Sequence, residues 1–127
     1  MAGQMGQAGK SVLVVDDNSD LREALTYVLE AEGYTVTAAS DGQEALTSLR
    51  GERLPRVILL DLSMPNMDGS GFRQRQLEDP RLARIPVVVC SGERGARDAA
   101  LRLGANGYIA KPMDVDTVLR TIERVCP

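Results

Sequence analysis

The sequence predicts an α/β protein: a doubly wound, five-stranded parallel sheet with helices on both faces. Two observations predict it. Short apolar runs recur along the chain, among them Val12-Leu13-Val14-Val15, Val57-Ile58-Leu59-Leu60 and Val87-Val88-Val89-Cys90. Bounded by turn residues, such runs read as strands buried on both faces. Between them lie segments whose apolar residues fall three and four apart, the spacing of a helix with one inward stripe. No repeat or linker divides the 127 residues. A chain of this length folds as one domain and buries about two thirds of its unfolded surface.

Each element has its own signal. Ser11–Val15 is the first strand and ends on two adjacent carboxylates, Asp16 and Asp17. Asn18 or Ser19 can cap the helix that follows, whose inner stripe is Leu21, Ala24, Leu25, Val28 and Leu29, with Gly33 at its end. Tyr34–Ala38 is a shorter second strand. Ser40 and Gln43 have the spacing of a capping box for the second helix, which turns Ala45, Leu46 and Leu49 inward. Val57–Leu60 is the third strand, running into Asp61 and a loop marked by Met64-Pro65 and Asp68-Gly69. The third helix has the weakest pattern: Phe72, Arg75 and Leu77 are poorly periodic, and Pro80 stops it.

The fourth strand, Ile85–Cys90, has Pro86 at its start, where a missing donor is tolerated. Ser91 then reads either as a cap or as a site residue. The fourth helix turns only small residues inward with Leu103 (Ala96, Ala99, Ala100), carries Gly95 in its first turn and stops at Gly104; it should be weakly anchored. Tyr108–Ala110 is the fifth strand. Asp114 or Asp116 starts the last helix, which carries Val115, Val118, Leu119, Ile122 and Val125. Residues 1–10 read as a flexible leader, 11–125 as the domain and 126–127 as a tail.

Composition excludes several chemistries. The chain has no histidine, which removes histidine-containing zinc sites and Ser-His or Cys-His nucleophile systems. Its two cysteines, Cys90 and Cys126, have no metal-ligand spacing. Cys90 reads as a buried apolar residue and Cys126 as an exposed or frayed one. A net charge of −3 points away from direct binding of nucleic acid or an acidic membrane. With no signal-peptide or membrane-span pattern, the expected location is cytoplasmic.

The polar residues that remain stand at strand ends: Asp16 and Asp17 at the first, Asp61 at the third, Ser91 at the fourth, Lys111 at the fifth. In a parallel sheet these ends face one crevice. Each residue also has a plain structural use: Asp16, Asp17 and Ser91 can cap helices, Lys111 can be a solvated charge, and Tyr108 an ordinary strand aromatic. Together they point further. Clustered carboxylates repel one another unless a cation is present, and oxygen ligands without histidine or thiolate suit Mg²⁺. Three carboxylates, a hydroxyl and a lysine around such a cation make a phosphoryl-transfer constellation, with the central Asp61 as nucleophile.

This set of residues resembles the receiver domain of two-component response regulators over residues 11–125. The resemblance is carried by Asp16-Asp17, Asp61 after Val-Ile-Leu-Leu, Met64-Pro65 with Met67-Asp68-Gly69, Ser91-Gly92, Gly104-Ala105, Tyr108 and Lys111-Pro112. It implies a flavodoxin-like sheet of order 2-1-3-4-5 and Asp61 as phosphoacceptor. It implies Mg²⁺ held by Asp17, Asp61 and the carbonyl of Ser63, with Asp16 acting directly or through water. Lys111 would pair with the phosphate, Ser91 would donate to it, and Tyr108 would turn inward on phosphorylation.

The implied donor is a phosphohistidine on a histidine kinase or phosphotransfer protein. The implied output is a protein target on the face made by the fourth helix, fifth strand and fifth helix, roughly residues 94–125, with the chain a monomer or a phosphorylation-dependent dimer. The resemblance implies that Ser63 and Glu93 flank the path of attacking water, and a phosphate lifetime at neither extreme is expected. One rival is a degenerate receiver serving only as a binding or dimerisation module. Another is an Mg²⁺-dependent hydrolase with an aspartyl-phosphate intermediate, but such enzymes usually place a second aspartate where Ser63 stands. A nucleotide-binding loop is absent: Asp16-Asp17-Asn18-Ser19 occupies its place after the first strand.

Overall fold

The computed structural model describes residues 10–51 and 53–126; the proposed leader therefore lies, except for Lys10, outside the described residues. The elements alternate strictly: β1 (Ser11–Val15), α1 (Ser19–Ala31), β2 (Thr35–Ala39), α2 (Gly42–Ser48), β3 (Val57–Leu60), α3 (Gly69–Glu78), β4 (Val87–Ser91), α4 (Ala96–Arg102), β5 (Gly107–Ala110) and α5 (Val115–Val125). All neighbouring strands pair in parallel, in the order β2-β1-β3-β4-β5. The order turns between β1 and β3, so their C-terminal ends border the crevice that a doubly wound sheet opens to ligands.

Alternation along the strands sends side chains to two cores. Val12, Val14, Val57, Leu59, Val88, Cys90 and Ile109 meet Leu25 and Leu29 of α1 and Val118 and Ile122 of α5. On the other face Leu13, Val15, Ile58, Leu60 and Val87 meet Ala45 of α2, Leu49 just after it and Phe72 of α3. Phe72, the only phenylalanine, is fully buried there. Phe72→Ala is expected to cost about 3–5 kcal/mol, a large part of a domain's margin, read as a lower urea midpoint at unchanged slope.

Local chemistry explains where the elements start. Asn18 caps α1 by accepting from the Leu21 N–H at 3.1 Å, and Asp114 caps α5. Gly33 ends α1 with φ +93°, a conformation that costs glycine little. The capping box of α2 lies one residue beyond the expected pair. Asp41 is the cap and accepts from Glu44 N–H at 2.8 Å, and Glu44 reaches back to the Ser40 N–H at 2.8 Å.

Ser91 does not cap α4; it closes β4, and α4 starts after Gly95 with no side-chain cap bond. Two ends are also better tied than expected. The Lys10 carbonyl accepts from the Thr35 N–H at 2.8 Å, and half-buried Cys126 has its carbonyl bound by Arg56 at 3.2 Å.

The third helix forms in full, capped by Asp68, whose side chain accepts from the Gly71 N–H. Its buried positions, Gly69, Phe72, Arg73 and Gln76, have proper helical spacing. Leu77 is half exposed. The periodicity is present but written partly in polar residues, which is why an apolar pattern does not reveal it.

Candidate functional site

The site is built at the ends of β1, β3 and β5. The Asp16 N–H continues the ladder to the Ala39 carbonyl and the Asp61 N–H to the Val15 carbonyl, at 3.0 and 2.9 Å. Backbone pairing therefore fixes where both carboxylates leave the sheet. Asp16 is buried, accepts from the Asn18 N–H at 2.9 Å and receives the Lys111 ammonium at 2.6 Å. Lys111 Nζ also stands 3.7 Å from Asp61 Oδ2. Asp17 is exposed at the rim, and one carboxylate oxygen each from Asp16, Asp17 and Asp61 lies within 4.8 Å of the others. These residues, expected to converge, do converge.

The electrostatics follow from crowding. Burial raises the pKa of Asp61 above its ordinary value, and the Asp16 charge adds to the rise; Lys111 and the Ser63 backbone N–H oppose them. Burial works against the charged form of Lys111, but the hydrogen bond and charge of Asp16 and the charge of Asp61 outweigh it and raise its pKa. One ammonium thus serves two carboxylates, with a third beside them. A group of hard oxygen ligands with net negative charge fits a divalent cation such as Mg²⁺. The Cys90 thiol is pushed up to about 12 by burial, so it stays protonated and behaves as a core residue.

Ser91 and Tyr108 form a second group at the β4–β5 edge. Ser91 is buried, its Oγ accepts from the Glu93 N–H at 3.1 Å, and its carbonyl accepts from both the Lys111 N–H and the Tyr108 hydroxyl at 3.1 Å. The Arg97 guanidinium of α4 covers the Tyr108 ring at 5.5 Å. Ser63 sits exposed on the loop two residues past Asp61. The Lys111–Pro112 peptide is cis.

Several supporting residues escape a sequence reading. Arg22 Nη1 donates to the Asp16 carbonyl at 2.7 Å and so fixes the acidic turn from α1. The loop after β3 is held from α2: Asn66 Nδ2 donates to Asp41 Oδ2, and the Gly42 N–H to the Met67 carbonyl, both at 2.8 Å. Gly69 is the tightest fit, because a Cβ there would stand 2.5 Å from the Asp61 carbonyl oxygen. Its signal was the Asp68-Gly69 pair, which reads equally well as an ordinary turn.

Comparison with known proteins decides what this arrangement is. The model of the response regulator receiver domain family matches residues 12–123. The chain belongs to that family. A receiver domain is a phosphorylation-activated signalling switch that acts through aspartyl phosphorylation, and its acidic triad is the cluster of Asp16, Asp17 and Asp61. The same acidic cluster suits phosphorylation and dephosphorylation of the domain itself.

The relatives differ in length. The receiver is 33% identical over 116 residues to PilH of Pseudomonas aeruginosa, covering 90% of this chain and 95% of that one. It is 31% identical over 118 residues to sporulation initiation phosphotransferase F of Bacillus subtilis, covering 93% and 94%. It spans only 48% of the transcriptional regulatory protein CseB of Streptomyces coelicolor, at 35% identity over 90% of this chain.

Among solved structures, the receiver domain of the sensor histidine kinase PA1611 from Pseudomonas aeruginosa superposes with a TM-score of 0.84 at 28% identity, covering 93% of this chain and 98% of that one. The chemotaxis response regulator CheY4 of Vibrio cholerae gives 0.82 at 32% identity, covering 91% and 97%. No helix among the described residues is long and apolar enough to cross a membrane.

Proposed function

We propose that Asp61 accepts a phosphoryl group from a phosphohistidine on a partner histidine kinase or phosphotransfer protein. The observation that carries this reading is the placement of Asp61 within 4.8 Å of two further carboxylates and 3.7 Å from the Lys111 ammonium. An Asp61 oxygen forms the new O–P bond as the N–P bond of the donor breaks, and the electron pair remains on the imidazole nitrogen, which takes up a proton. Lys111, hydrogen-bonded to Asp16 with its ammonium 3.7 Å from Asp61, neutralises charge on the transferred group. Ser91 supplies a hydroxyl donor from the neighbouring strand end. Tyr108, bound to the Ser91 carbonyl, is the side chain through which the change reaches the β5 edge.

Asp16, Asp17, Asp61 and the Ser63 carbonyl would hold Mg²⁺, which supplies positive charge to the phosphoryl oxygens when bound. The PA1611 receiver was crystallised with magnesium in its active-site cleft, which supports the same ion here. Adding Mg²⁺ at about ten times its dissociation constant is expected to stabilise the protein by about 1.4 kcal/mol, seen as a rise in Tm that a chelator reverses. In Asp17→Asn the rise should need about tenfold more Mg²⁺; an equal rise in the variant contradicts Asp17 as a ligand.

The reading is tested by incubating the protein with a radiolabelled phosphohistidine donor and Mg²⁺. Label is expected to move onto the chain, bound as an alkali-labile acyl phosphate. Absence of transfer from phosphotransfer proteins and kinases of the same genome contradicts the phosphohistidine donor. We further propose a downstream protein partner on the α4–β5–α5 face and a cytoplasmic location.

A further inference from the structure

We propose that Arg73 is a positioning residue that pins the C-terminal turn of α4, so that α4 responds to phosphorylation at its N-terminal end alone. This inference rests on the switch reading above. The two ends of α4 are held very differently. At the N-terminal end Gly95 has φ +82° and makes no side-chain cap bond, and the only buried side chains of the helix are those of Ala96 and Ala100. Leu101 is 73% exposed. A seven-residue helix with so small an inner face has little stability of its own.

The C-terminal end is gripped from another helix. Arg73 of α3 donates from Nε to the Leu103 carbonyl and from Nη2 to the Gly104 carbonyl, both at 2.9 Å. Its Nη1 donates to Gln76 Oε1 at 2.8 Å, and Gln76 Nε2 donates to the Leu82 and Ile85 carbonyls at 3.0 Å. The clasp therefore ties α4 through α3 to the segment entering β4. Arg73 is 6% exposed and Gln76 fully buried, positions at which an apolar side chain would avoid the cost of desolvation.

Among the described residues no carboxylate pairs with Arg73. The negative end of the α4 dipole and its last carbonyls compensate the guanidinium. A rigid planar fork on two successive carbonyls fixes orientation as well as distance.

The consequence is a lever. The end of α4 that follows Ser91 carries Arg97 over the Tyr108 ring and can shift without breaking a side-chain cap bond, whereas the Leu103–Gly104 turn cannot move without breaking two charged hydrogen bonds.

Amide hydrogen exchange on the wild type and Arg73→Met, with and without beryllofluoride and Mg²⁺ as a phosphoryl mimic, tests this. In the wild type the mimic should change exchange over residues 92–99 by about threefold or more and leave 101–106 unchanged. In Arg73→Met the change should extend through 101–106. Arg73→Lys, which keeps the charge and loses the fork, should behave likewise and replaces Arg73→Met if that variant does not fold. A wild type whose residues 101–106 respond as strongly as 92–99 overturns the proposal, as does a variant that is less stable but shows the wild-type pattern. A wild type that ignores the mimic everywhere contradicts the switch reading itself, which separates the two failures.

Discussion

Asp61→Asn is expected to take up no phosphoryl group from acetyl phosphate and Mg²⁺, and to unfold at a higher temperature than the wild type at neutral pH. The first effect follows from loss of the nucleophile: the amide has nearly the shape of the carboxylate but cannot form the acyl phosphate, and uptake should fall by on the order of 10³-fold or more. The second follows from the crowding around it. Burial and the Asp16 charge raise the pKa of Asp61 above its ordinary value, so the folded protein holds this proton more tightly than the unfolded chain does. The penalty for the ionised carboxylate is complete above the raised folded pKa. It fades as the pH falls through that value towards the unfolded one. The advantage of Asp61→Asn in thermal melts should therefore shrink in acid. A variant that melts below the wild type at neutral pH contradicts the electrostatic account, even if it takes up no phosphate.

Gly69→Ala is expected to lower both stability and phosphoryl uptake, although alanine normally favours a helix over glycine by about 1 kcal/mol. A Cβ at Gly69 would meet the Asp61 carbonyl oxygen at 2.5 Å and the Leu62 Cα at 2.8 Å. Neither is the end of a flexible side chain, so the first turn of α3 or the backbone at Asp61 must shift. Overpacking of this kind costs about 1–3 kcal/mol, and the displaced group is the one whose direction sets the nucleophile. Gly51→Ala, which meets nothing within 4 Å, is the control and should leave both measurements unchanged. Urea denaturation with a timed acetyl phosphate reaction reads the pair. Normal uptake in Gly69→Ala would show that this close approach does not position Asp61.

The site was more legible in the sequence than its supports. Asp16, Asp17, Asp61 and Lys111 each follow an apolar run, and parallel topology alone brings such strand ends to one side. The parts that sequence patterning missed are held by interactions it does not encode. The inner face of α3 includes Arg73 and Gln76, buried because their polar groups find carbonyls far along the chain. The α2 cap moved from Ser40 to Asp41 because both residues can accept, and Asp41 is the one whose other oxygen is bound by Asn66. Ser91 looked like an N-cap, but its backbone is taken up by β5 and its hydroxyl by Glu93. The absent side-chain cap at the N-terminal end of α4 fits the weak anchoring expected of that helix, but the Arg73 bonds at its other end come from another helix and leave no mark in the α4 sequence.

The central claim is that this chain is switched by a covalent phosphate on Asp61. Intact-mass measurement after incubation with acetyl phosphate and Mg²⁺, followed by peptide mapping, tests it most directly. One phosphoryl group is expected, on the peptide containing Asp61, absent without Mg²⁺ and absent in Asp61→Asn. No gain in mass in the wild type, or a gain that survives in Asp61→Asn, would contradict it.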